Sequence, residues 1–298
     1  MRYFAIGILA FFSLTGEEQP RPGIADNTRQ TGTIPCEDKN IPRYSAHSVD
    51  TPPQVDGRLD EDIWKNAQRS SRFVDLVHGT PTLFDTRAAV LWDDEYLYVG
   101  YWIEEPNVTA TLTERDAPIY TDNDVELFIA GRDGYYELEI NAYATIYEVL
   151  FLWDEAYRRY GYAAHPEFAL TQPAAKPFNG VGFKDHPRGR RTGFFNWDFP
   201  GLRKAVHIDG TLNDDSDVDK GWTVEFALPW SGLKALMKAE GRSLPPRDGD
   251  VWRMDFSRFN TYKAPAPPKD SGGWAWSAHG VWDSHVPECF TYITFQRN

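Results

Sequence analysis

An all-β, two-sheet antiparallel β-sandwich of the immunoglobulin-like or jelly-roll type, with short peripheral helices and one long insertion, is the fold this sequence predicts. The stretch Arg87 to Asn141 holds four strand-like runs, RAAVLW, EYLYVGYWI, NDVELFIA and GYYELEIN, separated by turn residues. Along the second run Leu97, Val99, Tyr101 and Ile103 fall on one face of an extended chain and Tyr96, Tyr98 and Trp102 on the other. Asp93-Asp94 and Arg132-Asp133-Gly134 are the turns, because Asp and Gly tolerate tight backbone. A meander apolar on both faces belongs in a two-sheet packing, where one face forms the core and aromatics on the other can meet a ligand. With 298 residues, 41% of them hydrophobic, the chain fits one large β domain better than two small ones.

At the N-terminus Arg2 precedes an apolar run from Tyr3 to Phe12 and a small, polar close at Ser13-Leu14-Thr15-Gly16. This run is too short to span a bilayer as a helix, and residues 1–16 resemble a secretory signal peptide. Glu17 stands where a lipoprotein signal would need Cys, so no lipid anchor and no membrane insertion are expected. Residues 17–45 are rich in Pro, Gly, Thr and charge without periodicity and read as a linker or an arm lying on the domain. Residues 46–298 form the single domain. Asp60-Glu61-Asp62 before Ile63-Trp64 and Ala67 suits a short helix with acids at its positive end. TIYEVLFLW continues the strands, and then the period lapses from about 154 to 200, an aromatic stretch read as an insertion that extends or caps the ligand surface. AVHIDGTLND and GWTVEFALPW form a hairpin around an acidic turn. Trp230 opens a short helix through Ala239, DVWRMDFSRFN is a further strand, and GGWAWSAHGVWDSH leads to the last one.

The chain has two cysteines, Cys36 and Cys289. In an exported protein an even pair favours a disulfide, here tying the N-terminal lead-in to the last strand; the alternative is that Cys289 is a small buried hydrophobe. A formal net charge of −13 argues against polyanionic partners, since a nucleic-acid site needs a dense Lys/Arg footprint. Neutral glycans or divalent cations are more natural. Eleven Trp, 15 Tyr and 18 Phe supply many flat rings, which stack on the apolar faces of sugars or serve the core.

Five ordered segments, VDGRLDEDIW, LWDDEYLYV, NDVELFIA, GWTVEFALPW and PECFTYITF, lie between Val55 and Phe295 and together resemble the family 9 carbohydrate-binding module, of the wider DOMON-like sandwiches. The resemblance implies a site in which two rings sandwich a terminal sugar while polar side chains satisfy its hydroxyls. It places Tyr120 at the first ring, Glu126 at a sugar-contacting acid, Trp282 at the second ring and Arg258 near a further polar contact. Glu139 stands where the family uses a basic side chain, and the spacing from Trp282 to Pro287 also differs. Strand alternation sets Glu126 and Phe128 on one face, as it does Glu137, Glu139 and Asn141, leaving Val125, Leu127, Ile129, Leu138 and Ile140 on the other. Such a face is a sugar platform or an ordinary solvated sheet face. Asp214, Asp215, Asp217 and Asp219 offer oxygen ligands for Ca²⁺, a structural ion the family often carries, although the spacing is not that of an EF-hand.

The resulting expectation is a secreted or periplasmic, non-catalytic carbohydrate-binding protein with no required cofactor, a glycan or polysaccharide as ligand, and a glycoside hydrolase as partner. Two alternatives stand beside it. Glu126, Glu139 and Glu225 all occupy strands, and two carboxylates suffice for glycoside hydrolysis. Some related sandwiches hold haem, for which Met254 with His207 or His279 are the candidate axial ligands. The seven histidines form no close zinc-type pair, and there is no nucleophile elbow, P-loop or dinucleotide fingerprint.

Overall fold

A computed structural model describes residues 32–237, 240–263 and 265–298. The signal-peptide reading of residues 1–16 and most of the arm lie outside them. The strands in chain order are β1 (Arg43–Ser48), β2 (Val74–Asp75), β3 (Thr86–Trp92), β4 (Tyr96–Glu104), β5 (Asp124–Ala130), β6 (Gly134–Asn141), β7 (Ile146–Trp153), β8 (Ala175–Phe178), β9 (Arg191–Phe194), β10 (Arg203–Asp209), β11 (Gly221–Pro229), β12 (Val251–Phe259), β13 (Gly273–Ala275) and β14 (Thr291–Gln296). They pair in the order β10-β11-β4-β3-β1-β14-β12-β5-β6-β7-β9-β8, with β13 and β2 attached to β12. Most neighbours are antiparallel as expected. The exception is β1, which runs parallel to both β14 and β3 and so joins the two halves of the sandwich into one hydrogen-bonded path.

The two halves fold face to face over a shared core. Tyr101 of β4 donates its hydroxyl to the carbonyl of Glu126 on β5 at 2.8 Å, and its ring sits 6.1 Å from Phe256 of β12. The alternating apolar residues of the sequence all converge there: Val99, Tyr101 and Ile103 from one half, and Leu127, Ile129, Leu138, Ile140 and Phe256 from the other, each buried. At the β6 turn Gly134 has no room for a side chain, since a Cβ would lie 1.9 Å from the carbonyl oxygen of Phe151 on β7.

The short helix α1 (Asp62–Asn66) forms where the acids predicted it and buries Trp64. A second helix, α2 (Asp154–Arg159), follows β7, and a 3-10 turn over Trp230–Leu233 runs into a third, α3 (Lys234–Met237). The stretch 154–200 is more regular than its sequence pattern: besides α2 it contributes β9, which pairs with β7, and β8, which pairs with β9. These strands are four residues each, too short for a period to show. Among the described residues no helix is long and apolar enough to cross a membrane.

Candidate functional site

Two faces of the β5–β6 pair have different fates. The apolar residues enter the core, and the polar ones face outward in rows set by the register. One row runs across four strands as Ser257, Glu126, Glu139 and Tyr147; the next runs as Asp255, Phe128, Glu137 and Val149; beyond the first, Phe259 pairs with Asp124 and Asp124 with Asn141. Residues opposite one another on antiparallel strands hold their Cβ atoms about 5 Å apart, so each row is a line of touching side chains.

Aromatic residues wall this floor on both sides. Tyr120, in the 3-10 turn Ile119–Thr121, meets the ring of Tyr147 edge-on at 5.7 Å. On the other side Trp282 meets Phe259 edge-on at 5.1 Å, and lies so close over Gly273 that a Cβ there would come within 2.5 Å of its ring. Tyr120 and Trp282 are half-buried, whereas Glu126 and Glu139 are 4% and 1% exposed. The hydroxyl of Ser257 lies 3.0 Å from Glu126 Oε2 and 3.1 Å from Asp255 Oδ2 and can donate its one proton to either. Carboxylates held in so dry a setting are strong acceptors for ligand hydroxyls.

Among the described residues, Asp124, Glu126 and Glu139 are the acids that converge to metal-binding distance, each offering an oxygen within 4.8 Å of the others. The acidic turn expected to supply calcium ligands is instead built into its own loop. Asp219 accepts the backbone N–H groups of Val108 and Thr211, Asp217 the hydroxyl of Thr211, Asp214 the N–H of Ser216, and Asp215 pairs with Lys263.

Two of the sequence-selected residues do not join the groove. Arg258 is on the core face of β12, one residue out of phase with Ser257, fully buried against Thr86, the carbonyl of Glu104 and Glu105. Asn141 shares the outward face but is saturated: its amide nitrogen donates to the Leu112 carbonyl and to Asp122, and its oxygen accepts from the N–H groups of Tyr143 and Thr145. It shapes the β6–β7 turn and has no capacity left for a ligand. Glu225 is on the other half of the sandwich, where it accepts from Trp64 Nε1 at 2.9 Å and from the N–H groups of Asp56 and Gly57; burial raises its pKa against those hydrogen bonds. The core separates it from Glu126 and Glu139, so it cannot serve as their catalytic partner. Met254 enters the core while His279 lies on the outward side of β12, and His207 is on β10, so no haem ligand pair forms.

Sequence reasoning missed the polar cap over the second row. His279 reaches Asp255 with Nε2 at 3.3 Å and the carbonyl of Asp283 with Nδ1 at 2.8 Å. His285 meets the hydroxyl of Tyr135 with Nδ1 at 3.0 Å and Glu137 with Nε2 at 3.4 Å, and its ring packs edge-on against Phe128 at 5.2 Å. The alternation of Asp255 and Ser257 with Met254 and Phe256 is the signal that could have located this face.

The two histidines are shifted in opposite directions. Burial pulls the pKa of His279 down, but the Asp255 carboxylate and its hydrogen bond outweigh it and the net shift is upward. Burial, with Arg191 and His279 nearby, lowers that of His285 to about 3 despite Asp283. A lowered histidine pKa costs stability as pH falls below the unfolded value near 6.5, and a raised one costs stability as pH rises through the folded value. The joint contribution of these two histidines to stability should therefore peak near pH 6.5. Below pH 6.5 the slope from His285 rises toward about 1.4 kcal/mol per pH unit, which it nears by about pH 5.5, and His285→Gln should flatten that limb; an unchanged acid limb would show that His285 takes up its proton equally in the folded and unfolded chain.

No curated protein sequence matches the chain. A Bacteroides uniformis structure provisionally described as a carbohydrate-binding protein superimposes with a TM-score of 0.56 at 15% identity, covering 86% of this chain and 100% of that one. A family 9 carbohydrate-binding module from Caldicellulosiruptor kristjanssonii, solved with cellotriose, gives 0.48 at 13% identity over 86% and 94% of the two chains. The same organism's module with glucose gives 0.47 at 13% over 85% and 96%. The first likeness establishes a shared fold. Residues 55–166, which include Tyr120, Glu126 and Glu139, match the family model described as carbohydrate family 9 binding domain-like.

Proposed function

We propose that the groove floored by Glu126 and Glu139 and walled by Tyr120 and Trp282 binds a carbohydrate, without transforming it. The observation that carries this reading is the register row Ser257, Glu126, Glu139, Tyr147, which sets acceptors for hydroxyls between two aromatic walls, with Tyr120, Glu126, Glu139 and Tyr147 inside the matched segment. The half-buried rings of Tyr120 and Trp282 cover the apolar faces of a sugar, while the dry carboxylates take its hydroxyl protons. Affinity is modest because sugar and site both shed water. The Cys36–Cys289 disulfide supports an oxidising, exported setting. A polysaccharide-degrading enzyme is the partner such a module would serve.

The test is a glycan-array screen of the purified chain beside Trp282→Ala, Tyr120→Ala and Glu126→Gln variants. Losing a charge-assisted hydrogen bond of about 1.5–3 kcal/mol, Glu126→Gln should weaken every groove hit roughly 10- to 100-fold. The oxygen triad is also of the kind Ca²⁺ takes, so the screen is run with Ca²⁺ and with EDTA. Hits retained by all three variants would remove the site from this groove, and sugar release from a bound polysaccharide would overturn the non-catalytic reading.

A further inference from the structure

Beyond the C-terminal end of β12 the chain leaves the sheet at Asn260 and, with the end of β4 and the segment before β5, encloses a cavity of about 430 Å³. That is within the range of small-ligand sites and more than ten times the space of one water. Its lining shares no side chain with the groove floor. Asn123 is bound internally, donating to Glu105 and to the Thr261 carbonyl and accepting the N–H of Thr261. Asn260 is different. It is 4% exposed, and among the described residues neither its Oδ1 nor its Nδ2 has a hydrogen-bond partner. A buried primary amide without partners is unfavourable unless a ligand or solvent satisfies it.

The rest of the lining defines what would do so. Phe84 and Tyr262 meet at 5.9 Å with their planes 83° apart, forming an aromatic corner in the lining that Asn260 shares. The charges are neutralised within the protein: Glu105 is held by Arg258 at 3.3 Å, and Lys263 is paired with Asp215. No net charge invites an ion. An amide offers a donor and an acceptor side by side, the match for two neighbouring hydroxyls, and the rings match the C–H faces between them.

We propose that this cavity is a second binding site, for a neutral sugar residue, with Asn260 as its polar anchor and Phe84 and Tyr262 as its apolar walls. The assignment rests on the carbohydrate-binding reading but on none of the groove's side chains. It is tested on the same glycan array with a groove-disabled chain, Glu126→Gln/Trp282→Ala, and with Asn260→Leu or Tyr262→Ala added to it.

The groove-disabled chain should keep a subset of neutral-glycan hits, and either added substitution should lower them at least tenfold. Asn260→Leu should leave the thermal midpoint unchanged or higher, because it removes an unsatisfied buried amide, so its loss of binding cannot be ascribed to unfolding. Loss of every hit in the groove-disabled chain, or residual hits indifferent to both Asn260→Leu and Tyr262→Ala, would overturn the second site while leaving the groove. Hits indifferent to the groove substitutions in the otherwise unaltered chain, yet lost with Asn260→Leu, would overturn the groove and uphold the cavity. A chain with no hits at all would overturn both.

Discussion

Replacing Cys36 and Cys289 with serine is expected to lower the thermal midpoint by about 10 °C. The bridge joins residues separated by 253 positions. Chain-entropy scaling gives a loop of that length roughly 5 kcal/mol, and measured values for other bridges run lower, so a loss of about 3–5 kcal/mol is expected. At roughly 2–4 °C per kcal/mol for a domain of this size, that is a shift easily read by calorimetry. The effect reaches the site as well. Ile34 and Cys36 pack on Phe183, Val281, Val286 and Cys289, and Pro35 presses its carbonyl against Gly280, where a Cβ would come within 2.9 Å. The bridged arm therefore clamps the segment that carries His279, Trp282 and His285. Reductant should lower the midpoint of the parent chain toward that of the double variant and weaken glycan binding with it. Equal midpoints for the parent and the variant would mean that the arm restrains nothing.

Much of this architecture is legible in the residue pattern, and the exceptions have physical causes. Period-two alternation located β4, β5, β6 and β7 and divided the first three into two faces, one of each strongly apolar. It also put Glu126 and Glu139 on a common outward face, which the register then shows to be adjacent. The short strands β8 and β9 escaped it, since four residues carry too little period. The parallel placement of β1 escaped it too, because pairing direction leaves no mark on a single strand's alternation. Arg258 was misplaced although its own strand held the correction: Met254, Phe256 and Arg258 alternate with Asp255, Ser257 and Phe259, and a residue in phase with Met and Phe enters the core. What alternation cannot supply is the C-terminal segment folding His279 and His285 onto Asp255 and Glu137, contacts that depend on a loop path rather than a period.

The misplaced arginine yields the second large effect. Arg258→Ala should destabilise the chain by about 3–5 kcal/mol, the usual cost of leaving one member of a buried ion pair unmatched. The guanidinium is completely buried, 4.8 Å from the centre of the Trp274 ring, and donates to Thr86, Glu104 and Glu105. Burial lowers its pKa, and the carboxylates of Glu105 and Glu104 act against that shift, so it remains the cation that balances Glu105. Glu105 in turn accepts from Trp222 Nε1 at 2.7 Å and holds Asn123, which ties the end of β4 to the start of β5. Without Arg258 that carboxylate is stranded in a dry site. Neutralising it should therefore repair part of the damage: Arg258→Ala/Glu105→Gln is expected to be more stable than Arg258→Ala alone, and a double-mutant cycle on urea unfolding reads the coupling. A double variant no more stable than the single one would refute the buried pair. Glycan binding separates the two roles assigned to this residue. A sugar contact would lose affinity with stability intact, whereas a buried counter-ion loses stability, and groove binding by whatever fraction stays folded keeps its parent affinity.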